Sequence, residues 1–277
     1  MQRVMTPMAP LRTGTSTEPL MLSVQELSKE YDNRGGTRLV LDHVSLDVRA
    51  GEFVCIVGPS GAGKTTLLRC MAGLLTPSGG VVLLDGEPIE RPPAKLAVVF
   101  QDYSRSLLPW MSVMKNVTLP LRSQGVAKAE RRERALNALA GVGLSGSESL
   151  YPWQLSGGMQ QRVAIARALA YQPEALLMDE PFASVDAQTR ADLEDLILNV
   201  RHEFGVTVAL VTHDIDEAVY LSDRVVVLSG TPAHVSAIIP VDLGAVRDQM
   251  TTKSMPEFTE LRAHVFGLVR ERVNGGS

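Results

Sequence analysis

One stretch of this chain constrains its fold more than any other: Gly58-Pro59-Ser60-Gly61-Ala62-Gly63-Lys64-Thr65, a complete G-x-x-x-x-G-K-[ST] pattern, continued by Thr66. It follows the apolar run Phe53-Val54-Cys55-Ile56-Val57, which reads as a strand buried on both faces. It leads into Lys64–Met71, which reads as a helix. In a strand, glycine turn and helix of this order, backbone N–H groups can turn inward, and glycines leave room for phosphate oxygens to approach. The helix points its positive N-terminal end at the same anion. Lys64 adds a charge that reaches the β- and γ-phosphates, and the Thr65 hydroxyl suits a Mg²⁺ ligand position. The chain is expected to bind a nucleoside triphosphate.

The remaining pattern supplies a sheet to carry that loop. Ala175–Met178 and Val206–Val211 are short apolar runs of the buried parallel kind, and Val225–Leu228 is a further strand. Helical patterns at Met159–Tyr171 and Ala187–Glu203 separate them. Alternating strands and helices imply a parallel α/β sheet. Residues 22–48 alternate apolar and polar around Tyr31 and a turn at Gly35-Gly36, which suggests antiparallel strands. Residues 102–155 break the alternation and read as a helical insertion, placed at about 102–165. Within it, Lys128, Arg131, Arg132 and Arg134 are interleaved with Glu130 and Glu133. That charge run reads as a solvated helix face rather than an anionic docking face. Residues 1–20 read as a mobile tail. Residues 231–277 read as an extension, with a strand-like Val235–Leu243 and an amphipathic helix near Phe258–Val273.

The second chemical signal is Ala175-Leu176-Leu177-Met178-Asp179-Glu180, an apolar strand ending in two acids. A buried strand delivers both carboxylates to the carboxyl edge of the sheet, where ligands sit in open α/β folds. Asp179 is the expected Mg²⁺ partner. Glu180 is then placed to polarise an attacking water.

Bulk properties narrow the partners. A formal charge of −4 gives no electrostatic reason to expect a nucleic acid. No apolar run approaches the ~18 residues of a membrane span. The N-terminus has an early Arg3 but no apolar block, so no secretory signal is expected. Cys55 and Cys70 fall in the strand before the loop and the helix after it, and read as buried reduced thiols, which implies a reducing compartment such as the cytosol.

These motifs, with those that follow, resemble the ATP-binding subunit of ABC transporters over about residues 22–230. Gln101, after the strand Leu96–Phe100, matches the family's Q-loop glutamine. Leu155-Ser156-Gly157-Gly158-Met159-Gln160 matches the signature, Ser184-Val185-Asp186 the D-loop, and His213 the switch histidine. The family more often has Leu at the position of Val185, which leaves Asp186 in register. The resemblance implies an α/β P-loop ATPase domain at 21–230, with an antiparallel β subdomain and a helical insertion. It implies that Gln101 reaches Mg²⁺ and the attacking water, that His213 contacts the γ-phosphate, and that Tyr31 stacks on adenine. Ser156, Gly157 and Gly158 would bind the γ-phosphate held by an opposite subunit, and Asp186 would lie at the interface. Two ATP molecules would then sit in a head-to-tail homodimer whose closure drives a membrane partner.

Phe100-Gln101-Asp102, Leu107-Leu108-Pro109-Trp110, Asn116-Val117 and the segment Ile239–Leu243 are similar to the nitrate, sulfonate and taurine importer branch. That likeness implies separate transmembrane permease subunits, an indirect link to a periplasmic or extracellular solute-binding protein, and a peripheral place on the cytoplasmic face of a bacterial membrane. Exporter ATPases and soluble non-transport ABC ATPases share the same catalytic residues. Leu108-Pro109-Trp110 reads either as satellite core packing or as a permease contact.

Overall fold

The computed structural model describes residues 18–33, 36–102 and 106–271. In chain order the strands are β1 (Leu20–Asn33), β2 (Gly36–Arg49), β3 (Phe53–Val57), β4 (Gly79–Leu84), β5 (Glu87–Pro88), β6 (Leu96–Val99), β7 (Ala175–Asp179), β8 (Thr207–Val211), β9 (Arg224–Ser229) and β10 (His234–Pro240). The helices are α1 (Lys64–Met71), α2 (Val113–Ser123), α3 (Lys128–Gly141), α4 (Gly157–Ala170), α5 (Ala187–Phe204), α6 (Ile215–Leu221) and α7 (Pro256–Glu271).

The central six-stranded sheet runs β10-β9-β3-β8-β7-β6. It is parallel from β9 to β6, and β10 pairs antiparallel with β9. The interiors of β3, β7, β8 and β9 are apolar because both faces are covered. On β3, Phe53, Cys55 and Val57 join a core with Met178, Leu210, Ile165, Tyr220 and Phe258 from the helical side. Val54 and Ile56 enter a second core with Leu177, Val226, Leu22, Leu41 and Leu67, under the antiparallel sheet and α1. Burying a side chain of this size stabilises by about 1.5–3 kcal/mol, so the loop strand is clamped from both sides. Both cysteines are buried and unpaired.

The antiparallel sheet has the order β2-β1-β4-β5. Its last two strands are absent from the sequence reading, because Gly79-Gly80 resembles a turn. Their hairpin turns at Asp85 and Gly86, both with positive φ, as such two-residue loops require. α2, α3 and a 3-10 turn at Pro152–Gln154 occupy the inserted stretch. α3 buries only Ala135, Ala138 and Leu139 and holds an Arg134–Glu130 ion pair on its outer face, as a solvated helix does.

Several expected limits move. Leu20 opens β1, and Pro19 O accepts from Ala50 N–H at 2.9 Å, so the sheet begins before residue 21. Residues 1–17 lie outside the described residues, as does Gly35 of the expected turn. The strand expected over Leu96–Phe100 stops at Val99. The strand expected to Leu243 ends at Pro240, although Val241 and Leu243 stay buried. The expected C-terminal helix begins at Pro256, and residues 272–273 of it lie outside the described residues.

The segment beyond residue 230 adds an edge to the central sheet rather than trailing from it. The Arg247 guanidinium donates to Tyr220 O at 2.6 Å, and Gln249 Nε2 donates to Glu194 and Asp195 at 3.0 Å. Lys253 Nζ lies 2.9 Å from the buried Glu194 carboxylate. No helix among the described residues is long and apolar enough to cross a membrane.

Candidate nucleotide site

The phosphate loop occupies the turn between β3 and α1. Gly63 is the N-cap of α1 with φ +73°, and a Cβ there would lie 2.8 Å from Leu41 Cδ2. Both conformation and space therefore demand glycine. Lys64 is 6% exposed, and its Nζ donates to Gly58 O at 2.8 Å and Pro59 O at 3.0 Å. Burial lowers its pKa, against the opposing pull of Glu180 and Asp179. The ammonium is thus held inside the loop that it would complete around a phosphate.

One strand, β8, separates β3 from the acidic strand β7. Thr65 Oγ1 donates to Asp179 Oδ1 at 3.1 Å, so the loop and the acidic strand meet through the two residues expected to hold Mg²⁺. Burial pushes the Asp179 carboxyl up, and the Thr65 hydrogen bond opposes that shift. Among the described residues no cluster of three His, Cys, Asp or Glu side chains gathers. A single carboxylate with a hydroxyl suits Mg²⁺, which takes few protein ligands and completes its octahedron with waters and substrate phosphates.

Glu180 follows β7 with φ +42°, a left-handed conformation uncommon outside glycine. Such backbone outliers concentrate at functional sites. Its Oε2 accepts from Gln101 Nε2 at 3.3 Å and lies 3.0 Å from His213 Nδ1. Two side chains, from the loops at the ends of β6 and β8, therefore converge on one carboxylate oxygen at the end of β7. Tyr31 is partly exposed on β1, and its hydroxyl lies 3.5 Å from Thr66 Oγ1, which puts the ring beside the start of α1.

Ser156, Gly157, Gly158 and Asp186 are not drawn into this cluster. Ser156 caps α4, its Oγ accepting from Met159 N–H at 3.3 Å. Asp186 caps α5, its carboxylate accepting from Thr189 N–H at 3.0 Å and Thr189 Oγ1–H at 2.8 Å. Those bonds hold the Asp186 carboxyl below its usual range. Among the described residues, no hydrogen bond joins Ser156, Gly157 or Gly158 to the loop at 58–65.

A polar group the sequence reading did not assemble lies behind His213. The Thr212 hydroxyl donates to Glu217 Oε2 at 2.6 Å, and Asp214 N–H donates to Thr212 Oγ1 at 3.0 Å. Asp214 caps α6 by accepting from the N–H groups of Asp216 and Glu217. Arg190 Nη1 donates to Asp214 at 3.2 Å, with Nε 3.6 Å from Glu217 Oε1. The only signal in the chain for this group is Asp214 at cap spacing from Glu217. Nothing local pairs either of them with Arg190.

Glu217 is 4% exposed and its carboxyl is pushed up to about 7, chiefly by burial, with Thr212 and Arg190 opposing and Asp214 and Glu194 adding. A carboxyl raised in the folded state keeps a proton that the unfolded chain has lost. Its contribution to stability therefore falls as pH rises from its ordinary 4.5 to about 7. At about 1.4 kcal/mol per pH unit, the full penalty is about 3 kcal/mol. Glu217→Gln is expected to melt well above the wild type at pH 8 and to lose that advantage near pH 4.5. Thermal melts across that range check this, and an advantage independent of pH would contradict it.

A phosphate loop on a central parallel strand, with an acidic strand beyond the next one and polar side chains gathered at their carboxyl ends, defines a P-loop ATPase. Residues 41–183 match the ABC transporter family. An uncharacterized ABC transporter ATP-binding protein of Methanocaldococcus jannaschii is 48% identical over 252 residues, spanning 91% of this chain and 92% of that protein. The taurine import ATP-binding protein TauB of Yersinia pseudotuberculosis is 44% identical over 253 residues, spanning 90% of this chain and 97% of that protein. Among solved structures, the dimeric ATP-binding cassette MJ0796 bound to ADP and Pi is 34% identical with a TM-score of 0.71, covering 80% of this chain and 99% of that one. The chain belongs to the ABC transporter family, as an ATP-binding subunit with ATPase activity, and the resemblance drawn from its motifs is borne out.

Proposed function

We propose that this subunit powers a membrane importer for small solutes of the nitrate, sulfonate or taurine kind, through ATP-driven closure of a head-to-tail homodimer. The convergence of Gln101 and His213 on Glu180, beside the Thr65–Asp179 pair, carries the hydrolytic part of this reading. The similarity to a taurine import subunit over nearly its whole length supports the import part.

In this reading the backbone of Gly58, Pro59, Ser60, Gly61, Ala62 and Gly63 wraps the phosphates of ATP, and Lys64 moves its donors from the Gly58 and Pro59 carbonyls to the β- and γ-oxygens. Tyr31 covers adenine and Thr66 borders the same end. Thr65, Asp179 and Gln101 would hold Mg²⁺, which supplies charge neutralisation at the phosphate oxygens. Glu180 accepts a proton from the attacking water, and His213 and Gln101 orient that carboxylate and the γ-phosphate. Ser156, Gly157 and Gly158 at the start of α4 present a helix N-terminus to the γ-phosphate bound by the partner subunit. Asp186 lies at the same interface. Their separation from the loop of their own chain is what a shared site requires, and an isolated subunit would lack half of the γ-phosphate shell.

The membrane partner is a pair of permease subunits at the cytoplasmic face, with a solute-binding protein beyond them. Leu107 is buried in the core, whereas Trp110 is 70% exposed. The buried Asn116 donates through Nδ2 to Leu108 O at 3.1 Å and Met111 O at 3.0 Å, and accepts from Leu108 N–H at 2.8 Å. That clasp fixes the loop which presents the indole, so the permease contact is favoured over core packing. Trp110→Ala is expected to cost about 2 kcal/mol of docking energy while leaving ATP binding by the free subunit unchanged. Co-purification with the permease and uptake of labelled taurine, alkanesulfonates and nitrate by the reconstituted transporter test both statements. Normal assembly and uptake in the variant would remove Trp110 from the coupling surface. Absence of energised uptake for all three solutes would overturn the substrate assignment.

A further inference from the structure

Two adjacent residues in the first turn of α5 face two different motifs. Thr189 faces the signature: a Cβ built on Gly158 would lie 2.4 Å from Thr189 Cγ2, so the backbone of α4 rests directly on that methyl group. The Thr189 hydroxyl is turned the other way and donates to Asp186 Oδ2 at 2.8 Å. This one side chain therefore sets the spacing between the signature helix and the Asp186 cap.

Arg190 faces the switch histidine. Its guanidinium bridges Asp214 at 3.2 Å and Glu217 at 3.6 Å. Those two carboxylates hold both neighbours of His213, Thr212 through the hydroxyl bond to Glu217 and Asp214 through its own side chain. The His213 ring in turn sits 3.0 Å from Glu180. The Arg190 N–H also donates to Asp186 O at 2.9 Å, which closes the first turn of the helix. A continuous set of contacts thus runs from Gly158 through Thr189, Asp186 and Arg190 to His213 and Glu180.

We propose that Thr189 and Arg190 are positioning residues that couple the two nucleotide sites of the dimer. This rests on the head-to-tail reading, in which Gly158 serves the partner's nucleotide and His213 serves the chain's own. A displacement of the signature helix on engaging the partner's γ-phosphate is received by the Thr189 methyl and passed through the Thr189 hydroxyl bond to Asp186, which caps the first turn of α5. Arg190 passes it to the loop that aims His213. Neither residue touches the phosphate loop, so each acts on turnover and cooperativity and not on nucleotide capture. Coupling of this sort needs two sites and a shared element biased by both, and the first turn of α5 is that element.

The test uses the full chain as wild type, Thr189→Val, Arg190→Met and the double variant, with Glu180→Gln as a control. Thr189→Val keeps the methyl packing and volume while deleting the hydroxyl, so it preserves the fold even if Arg190→Met is less stable. ATP binding is measured without hydrolysis, and Mg-ATP turnover is measured against ATP concentration. Each single variant is expected to bind ATP within about twofold of wild type, to turn over about fivefold to tenfold more slowly, and to lose sigmoidal dependence on ATP. The double variant is expected to be no slower than the worse single variant, because both act on one path. Cooperative wild-type turnover that persists in Thr189→Val and Arg190→Met, or losses that multiply in the double variant, would overturn the coupling. A wild type that is non-cooperative at every protein concentration would likewise overturn the coupling, whereas specific turnover that does not depend on protein concentration would instead overturn the dimer-site reading beneath it.

Discussion

Glu180→Gln is expected to bind ATP, to close into a long-lived dimer, and to hydrolyse about a hundredfold to ten-thousandfold more slowly than wild type, the usual worth of a positioned general base. The amide keeps the shape and hydrogen-bonding reach of the side chain that Gln101 approaches at 3.3 Å and His213 at 3.0 Å. It loses the basic oxygen. It also removes a negative charge that raises the carboxyl of neighbouring Asp179 and opposes the burial-driven fall at Lys64. A bound triphosphate would therefore meet less repulsion, which favours the closed state. Light scattering after gel filtration in Mg-ATP, with phosphate release measured in parallel, checks both parts. Wild-type turnover in this variant would remove Glu180 from the base role.

Lys64→Ala is expected to weaken ATP binding by about tenfold to a hundredfold, because a hydrogen bond to a charged group contributes about 1.5–3 kcal/mol. The structure adds a second effect. Lys64 is nearly buried and satisfies two loop carbonyls, those of Gly58 and Pro59. Truncation removes the phosphate contact and leaves both carbonyls to find water, so the loop loses order even before nucleotide arrives. Titration with ATP should show the loss in affinity, and a modestly lowered melting temperature should accompany it. Unchanged affinity with unchanged turnover would contradict the assignment of this loop.

The expected strands at Phe53–Val57, Ala175–Met178 and Val206–Val211 were legible because a strand covered on both faces is apolar throughout, and that run cannot be mistaken for an exposed segment. β4 was not legible, since Gly79-Gly80 carries no periodicity and its pairing with β1 is supplied by residues more than fifty positions away, and the two-residue β5 exists only as the partner of β4. The loops at the carboxyl edge show the same division. The chemistry expected of Lys64 with Thr65, and of Asp179 with Glu180, is written in two short motifs, each following a buried strand, whereas the meeting of Thr65 with Asp179 spans 114 positions. The contact of Gln101 with Glu180 spans 79 positions and depends on β6 and β7 being neighbours.

By itself the sequence determined that a phosphate loop follows a buried strand, that two acids end another, and that stretches resembling a signature and a switch histidine accompany them. Each is a local pattern, set by steric allowance at glycine, by the run length of apolar residues, or by cap spacing. Only the tertiary structure decided that Arg190 meets Asp214 and Glu217, that Thr189 fills the space above Gly158, and that residues 234–240 complete the central sheet. Those contacts join elements whose separation along the chain carries no period. They exist because packing two cores against one sheet leaves each helix a single seat, and a side chain's partner is whatever that seat brings within reach.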